Sequence, residues 1–524
     1  MESDQRPAAG EFSGRSEAPG GRPGQVWWLG LERKWWTLAA VGVGTFVSAL
    51  NGSVVNTIVP VIMAWYGMDF AAAEWIVMIY LLVVSGLLLT FGRLGDMLGH
   101  KRVYIVGYSV LTVAASLCGV APTAPILIAL RALQAVGAAM VLSNSPAILT
   151  GAFPARQRGQ ALGMQGTMTY LGLMVGPALG GYLADQFGWQ SVFLLNFPVG
   201  VLACILAYVA IAGVVPPARG ESFDPPGALT FMGGLSALLL ALSHGRDWGW
   251  TSGVVLVLLA AAILLLGTFL AIERRSRSPM LDLSLFRARI FTAAATSALM
   301  NYICMYAVTF LMPFYLIQFR GFSPAQAGLL LSSQALAMAV VAPLSGSLSD
   351  RIGSRLPSTL GMVIVTVGMA WLSTLGAAAG TAETVARLML IGLGTGLFVS
   401  PNSSALMGAV SRQRQGIAAA VLASARNVGM VLGVALAGAV FASALAVHGG
   451  SLEAGEGFLP AFSYAFLVMS LFGLVGTVTS MVRGGRVAAP TKVAEQADGV
   501  VAHAAGQVST PPRSAGLKQD RPER

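Results

Sequence analysis

Two stretches decide the architecture of this chain: LGLMVGPALGG, residues 171–181, and VGMVLGVALAG, residues 428–438. Aligned, they match Gly172 with Gly429, Gly176 with Gly433 and Gly181 with Gly438. Two more pairs repeat at nearly the same offset. GRLGDMLGHKR (92–102) resembles GSLSDRIGSR (346–355), and the helix opening with Arg131 resembles the one opening with Arg387. A constant offset across three unrelated patterns is the mark of an internal repeat. Each half then supplies six comparable apolar segments.

The setting of the repeat is a membrane. Of 524 residues, 55% are hydrophobic and 10% charged, and mean hydropathy is +0.72; a soluble domain carries about a quarter charged residues. About fourteen apolar runs approach the roughly 20 residues that a bilayer helix needs. Helices are the economical choice, since backbone groups in hydrocarbon must bond within their own segment. The expected organisation is a disordered tail over 1–36, a six-helix bundle over 37–213, a linker with two extra helices over 214–289, a second six-helix bundle over 290–482 and a tail over 483–524. The excess of basic residues, 32 against 22 acidic, falls in short loops between apolar runs. Lys101, Arg102, Arg156, Arg274, Arg351 and Arg412 lie on one side and Asp69, Asp185, Asp247 and Glu453 on the other. Basic loops stay inside, so both termini are expected in the cytoplasm of a multi-pass cell-membrane protein. Nucleic acid is not the expected partner of this charge.

Catalysis finds no foothold. His100, His244, His448 and His503 fall in predicted loops or tails, and Cys118, Cys204 and Cys304 sit in apolar runs without metal-ligand spacing. No phosphate-binding Gly-x-x-x-x-Gly-Lys-[Ser/Thr] run is present to couple ATP. The chain is read as a transporter rather than an enzyme, with no cofactor and no metal.

Four groups of residues carry the expected mechanism. Gly92, Asp96, Gly99 and Lys101, with Asp350 and Arg351 in the second copy, form a loop that can latch one conformational state, the plainer alternative being a topology anchor. Gly172, Gly176 and Gly180 recur every fourth residue and let another helix approach closely; Pro177 among them removes a backbone donor, and Gly181 closes the run. Simple glycine packing explains the glycines but not the proline. Arg131, Gln134, Ala138 and Ser145 share a face of the fourth span. A guanidinium at membrane depth is a functional candidate, unless it snorkels to the interface. Arg426 is a second such cation. Tyr302, Tyr306, Thr309 and Pro313 stripe the ninth span and suit amphipathic substrates, with packing as the even alternative; Phe398, Asn402 and Ser403 are weaker candidates of the same sort.

Parallel six-helix repeats with these motifs resemble the major facilitator superfamily, whose substrate site lies at the midplane between the halves. GRLGDMLGHKR resembles its signature loop, with Met97 where arginine is usual. GLMVGPALGG resembles the antiporter motif of proton-driven exporters. RALQAVGAA (131–139) resembles the fourth-helix motif whose arginine is implicated in proton transfer, with Ala135 in place of the usual glycine. FGWQSVFLLNFPVG (187–200), ERRSRSPMLDLSLFR (273–287) and the two inserted helices resemble the fourteen-span drug:proton antiporters of the EmrB/QacA group, with Gln190 in place of the arginine usual after that tryptophan. The resemblance implies export of amphipathic, often cationic, compounds in exchange for protons, drug resistance as the outcome, and a monomer as the working unit.

One departure redirects the expectation. The first span of that group commonly reads Leu-Asp-x-Thr-x-Val-Asn-x-x-x-Pro. Here it reads LNGSVVNTIVP (50–60). Asn51 replaces the acid, while Asn56 and Pro60 match. An amide does not titrate near neutral pH. No Asp or Glu falls at the middle of a predicted span, so proton coupling is expected to rest on Glu74 first, or on Glu383 or Asp96. Asn51, Asn56, Gln134, Tyr302, Tyr306, Thr309, Phe398 and Asn402 are expected to line the cavity. A cavity with Arg131 and Arg426 and no acid leaves a second reading open: uncoupled or differently coupled movement of lipids, natural products or anionic amphiphiles.

Overall fold

The computed structural model describes residues 32–154, 157–212, 225–275, 283–410, 415–448 and 457–482. The expected tails apart from residues 32–36, the loop at 214–224, and Arg156, Arg412 and Glu453 lie outside the described residues; residues 33–36, expected in the N-terminal tail, form the first turn of the first helix.

The described chain is all helix. The first six long helices are α1 (Arg33–Tyr66), α2 (Phe70–Leu98), α3 (His100–Cys118), α4 (Ala124–Ala152), α5 (Arg158–Phe187) and α6 (Gln190–Ala210). Two more follow, α7 (Pro225–Trp248) and α8 (Gly253–Arg275). The last six are α9 (Arg289–Pro313), α10 (Pro324–Ile352), α11 (Arg355–Leu372), α12 (Thr381–Gly408), α13 (Gln415–Val447) and α14 (Phe458–Met481). Twelve are long and apolar enough to cross a membrane; α3 and α5, of 19 and 30 residues, are long enough but fall short of that measure of apolarity. Glycines, glutamines and threonines dilute α5, because its face must admit other helices.

Glycine and capping side chains set the turns. Gly67, Gly99, Gly188 and Gly353 close helices with positive φ, at 62°, 95°, 80° and 86°, a region that only glycine enters without strain. Asp69 caps α2 by accepting a bond from the Ala72 amide at 2.9 Å, so the helix begins before the expected boundary and carries Glu74 a full turn inside. Ser323 and Gln326 form a reciprocal capping box on α10. Past Pro313 the last turn of α9 widens to a π turn over Phe314–Phe319, with Arg320 N–H donating to Tyr315 O at 2.9 Å.

Packing reproduces the repeat. In the first bundle α1 packs on α5, α2 on α4, and α3 on α4 and α6; in the second α9 packs on α13 and α14, α10 on α12, and α11 on α12 and α14. The bundles meet along two seams, α5 with α10 and α2 with α13, with α1 and α9 between them. The inserted helix α7 lies against the α2–α13 seam, and α8 lies on α7. Burial follows from these places. In the most apolar window of α9, 78% of residues are buried, against 17% for α8, whose Leu256, Val257, Ile263 and Leu264 face outward. An outward apolar face is what a helix next to lipid requires.

Candidate functional site

The two ends of the molecule differ. At the end carrying the α1–α2 turn, both seams are shut. Phe70 of α2 meets Phe310 and Phe314 at the end of α9, and Phe441 of α13, with ring centroids 5.6, 4.9 and 5.4 Å away. On the other seam, α5 and α10 clasp each other reciprocally. A Cβ on Gly181 would run into the Pro324 carbonyl, and one on Gly328 into the Pro177 carbonyl. The clasp joins PALGG (177–181) to PAQAG (324–328): two antiparallel helices, each offering a proline carbonyl and a glycine four residues on. Gly172, Gly176 and Gly180 take the other side of α5, against Phe46–Leu50, Ser53 and Val54 of α1. The sequence reading found the glycine run and its contact role; it missed PAQAG, which the shared Pro-Ala-x-x-Gly spacing could have revealed.

Toward the other end the bundles enclose cavities. One of about 160 Å³ lies among α9, α12 and α13, lined by Tyr302, Phe398, Asn402, Ser403, Met407 and Arg426 among others. The expected cavity residues Tyr302, Phe398 and Asn402 thus come together around Arg426. Asn402 Nδ2 donates to Ala294 O at 3.2 Å, and Tyr302 and Arg426 face the same cavity from α9 and α13. Tyr306 and Thr309, the next turns of the same stripe, line a smaller cavity of about 40 Å³ at the α1–α5–α9–α10 junction with Ser53, Thr57, Pro177 and Gln334. A third, about 330 Å³ and mostly apolar, lies along the α2–α13 seam under Phe231 and Phe269 of the inserted helices.

The amides of α1 lie elsewhere. Asn51 is fully buried, and its Nδ2 donates to Asn196 Oδ1 of α6 at 2.7 Å and to Val47 O at 3.0 Å. Asn196 Nδ2 donates to Val192 O and Phe193 O, both at 3.2 Å, which fixes its oxygen toward Asn51. The pair ties α1 to α6 inside one bundle. Asn56 donates to Gly52 O at 3.3 Å. What α1 presents to the junction cavity is Ser53 and Thr57, one turn apart.

Arg131 is buried in α4. Its Nε donates to Ile76 O at 3.2 Å and its Nη1 to Gln134 Oε1 at 2.6 Å, and the guanidinium lies over the Tyr80 ring, 4.4 Å from the centroid. Its charge is met by a carbonyl, an amide and a π face, not by an ion pair with any described carboxylate. Its repeat partner differs. Arg387 pairs with Glu383 one turn back on α12 and donates to Thr374 Oγ1 at 3.1 Å. Glu383 is 42% exposed and is committed to that pair.

Glu74 is 1% exposed. Its Oε2 accepts from Ser243 Oγ of α7 at 2.9 Å. Its Oε1 has no hydrogen-bond partner and rests on Gly438 of α13, where a Cβ would displace it. A cavity of about 160 Å³ beside it is lined by Asp69, Asp247, Ser243 and Gly438. Three helices from three parts of the chain therefore converge on one carboxylate. The reading from sequence named Glu74; its neighbours Ser243, Asp247 and Gly438 were missed, since no local pattern links them to it.

In the signature loop, Asp96 lies 3.3 Å from His100 Nε2, and Lys101 donates to Tyr208 O at the end of α6 at 2.8 Å. Gly92 approaches Ser143 of α4, and Gly99 makes the turn. The loop is held by a residue not anticipated, Asn144 of α4, which donates to Phe91 O at 3.1 Å and meets His100 Nδ1 at 2.8 Å. In the second copy Arg351 is exposed; the Asp350 side chain lies outside those described.

Comparison with known proteins agrees with this architecture. The family model described as Major Facilitator Superfamily matches residues 41–434 and again 294–515. The chain is 34% identical over 419 residues to a riboflavin transporter of Clostridioides difficile, covering 79% of this chain and 90% of that protein. It is 33% identical over 408 residues to the multidrug resistance protein Stp of Mycobacterium tuberculosis, covering 78% and 76%. A bacterial homolog of the human lysosomal transporter Spinster, solved in an inward-facing, unoccupied conformation, superposes with a TM-score of 0.62 at 13% identity, over 87% of this chain and 99% of that one. With two six-helix bundles, two inserted helices and this match across most of its length, the chain belongs to the major facilitator superfamily.

Proposed function

We propose that this chain is a secondary active exporter of amphipathic small molecules, of the fourteen-span drug:proton antiporter kind, working by alternating access as a monomer. In this reading it sits in the cell membrane with both termini in the cytoplasm, so that the shut end faces outward and the cavities face the cytoplasm. The relatives named for multidrug resistance and riboflavin transport support a small-molecule substrate. The inserted helices support the fourteen-span kind.

The observation that carries proton coupling is the place of Glu74, at the meeting of α2, α7 and α13. A charged carboxylate in a dry site needs donors for both oxygens, and here one oxygen has a hydroxyl and the other a glycine face. Protonation removes the charge whose burial is costly. The proton on Glu74 thereby becomes linked to whether α13 can seat against α2, and that seam must part if the outer end is to open. Asp69 and Asp247 flank the adjoining cavity and give protons an acidic approach.

The test uses purified protein in liposomes holding a pH-sensitive dye, with an imposed pH gradient and a panel of amphipathic compounds. Substrates are expected to discharge the gradient, and Glu74→Gln to remove that response by tenfold or more, about 1.4 kcal/mol of coupling or above, while substrate binding persists. Compounds that cross with no pH response would sink the antiport reading. They would favour instead the second reading, uncoupled or differently coupled movement of lipids, natural products or anionic amphiphiles, for which the observation is the neutral amide of Asn51.

A further inference from the structure

Three helices enclose the cavity around Arg426, and they are almost free of acid. α9 and α13 contain no Asp or Glu at all, and α12 contains one, Glu383. That one is taken by Arg387. Among the described residues no carboxylate forms an ion pair with Arg426, and its Nε is buried without a hydrogen-bond partner. The residues of α12 and α13 and the loop between them that lie outside the description, such as Arg412 and Arg414, include no acid either. Arg426 is partly buried, and a guanidinium drawn part of the way out of water is stabilised when an anion meets it; the walls supply none.

The rest of the lining is suited to complete such an anion's coordination. Tyr302 lines the cavity together with Arg426 and brings a hydroxyl to it. Ser403, whose hydroxyl donates to Val399 O at 2.8 Å, and buried Asn402 add polar atoms on the α12 side. Phe398, Met407, Leu422 and Ala298 close the remaining wall with apolar surface. The volume, about 160 Å³, is below the roughly 300–1,000 Å³ of a whole drug-sized pocket. It fits a head group, with the body of the molecule extending along the stripe toward Tyr306.

We propose that this cavity is the subsite for the anionic group of an amphipathic organic acid, with Arg426 recognising that group. The proposal rests on the reading of this chain as a transporter of amphipathic molecules, and it names the charge class of the substrate. It also separates this chain from exporters that anchor a cation on an acid. A carboxylate or sulfonate would take the guanidinium in a forked pair, and an ester of the same molecule would leave the cation unmet.

Equilibrium binding tests this apart from any coupling to protons. The full-length protein is placed in phosphatidylcholine nanodiscs and titrated with 1-pyrenebutyric acid and, separately, its methyl ester, with empty discs subtracted. The acid is expected to bind about tenfold or more tightly than the ester. Arg426→Gln is expected to bring the ratio to about one, and Arg426→Lys to keep part of it. Ser403→Asp leaves Arg426 in place and supplies a competing carboxylate, so it is also expected to abolish the preference; it carries the test if Arg426→Gln does not fold. Equal binding of acid and ester to the unmodified protein, or a preference that survives Ser403→Asp and Arg426→Gln, overturns the proposal. A final arm adds short-chain phosphatidic acid as competitor. Displacement weaker than that by unlabelled arylalkanoic acid is expected, and stronger displacement would reassign the site to a lipid headgroup. Loss of pH-gradient discharge with the acid preference intact would count against proton coupling and leave the anion subsite standing.

Discussion

At the scale of single residues, chemistry at a position and the direction in which the side chain points are separate facts. Asn51 stands where the exporters that the first span resembles commonly carry an acid, yet its amide is spent on Asn196 in the α1–α6 contact. Restoring a carboxylate there puts an oxygen opposite Asn196 Oδ1, which is held in place by the two bonds from Asn196 Nδ2. Asn51→Asp is therefore expected to destabilise the protein by about 3 kcal/mol, read as a lower thermal midpoint. It is not expected to strengthen proton movement; a larger pH response in Asn51→Asp would refute this account. The milder Asn51→Ala leaves Asn196 Oδ1 without a donor and is expected to cost about 1–3 kcal/mol. Glu74 is the converse case. Its position at the head of α2 is unremarkable in sequence, and its setting comes from what α7 and α13 bring to it.

Among elements, the α5–α10 clasp shows how a short motif becomes a close contact between helices. Pro177 and Gly181 on one helix meet Gly328 and Pro324 on the other, backbone to backbone. Such an approach depends on the missing side chain, so any Cβ there must move main chain rather than a flexible tip. Gly328→Leu is expected to part the seam at the shut end at a cost of about 1–3 kcal/mol and to shift the population toward the state open on that side. Spin labels at Asp185 and Leu329, both exposed, would report a longer distance by pulsed electron paramagnetic resonance. Gly166→Ala, on α5 where a Cβ meets nothing within 4 Å, should leave the distance unchanged. An unchanged distance in Gly328→Leu would show that the clasp does not govern closure.

For the whole molecule, the inserted pair is more than a spacer between halves. α7 lies on the α2–α13 seam and delivers Ser243 to Glu74, so a segment outside the repeated six-helix bundles contributes to the proposed proton site. The glycine of α13 that admits the carboxylate is Gly438, the repeat partner of Gly181. One copy of the repeat thus uses its terminal glycine to clasp a backbone and the other to seat an acid. Gly438→Ala places a methyl group on the Glu74 carboxylate. It is expected to reduce substrate-driven proton movement in liposomes about as far as Glu74→Gln, with a stability loss of about 1–3 kcal/mol. Gly267→Ala on α8, where space is open, serves as the matched control. Normal coupling in Gly438→Ala would separate Glu74 from the seam.

The sequence by itself determined the number of long helices, the twofold repeat of six helices, the inserted pair and the small-residue face of α5. Those features are periodic or compositional, and each is decided within one segment by hydropathy, spacing and backbone chemistry. It also placed Tyr302 with Tyr306 and Thr309 on one helix, and Phe398 with Asn402 on another, because helical spacing puts such residues on a face. Only the tertiary structure decided which face met which neighbour. It turned Asn51 toward Asn196, joined PALGG to PAQAG, set Ser243 and Gly438 on Glu74, and left Arg426 in a cavity whose walls hold no acid. The physical reason is that these contacts join residues more than a hundred positions apart, through rotations of whole helices about their axes. A helix's own sequence fixes which residues share a face, but the packing of all fourteen together selects the partner that face receives.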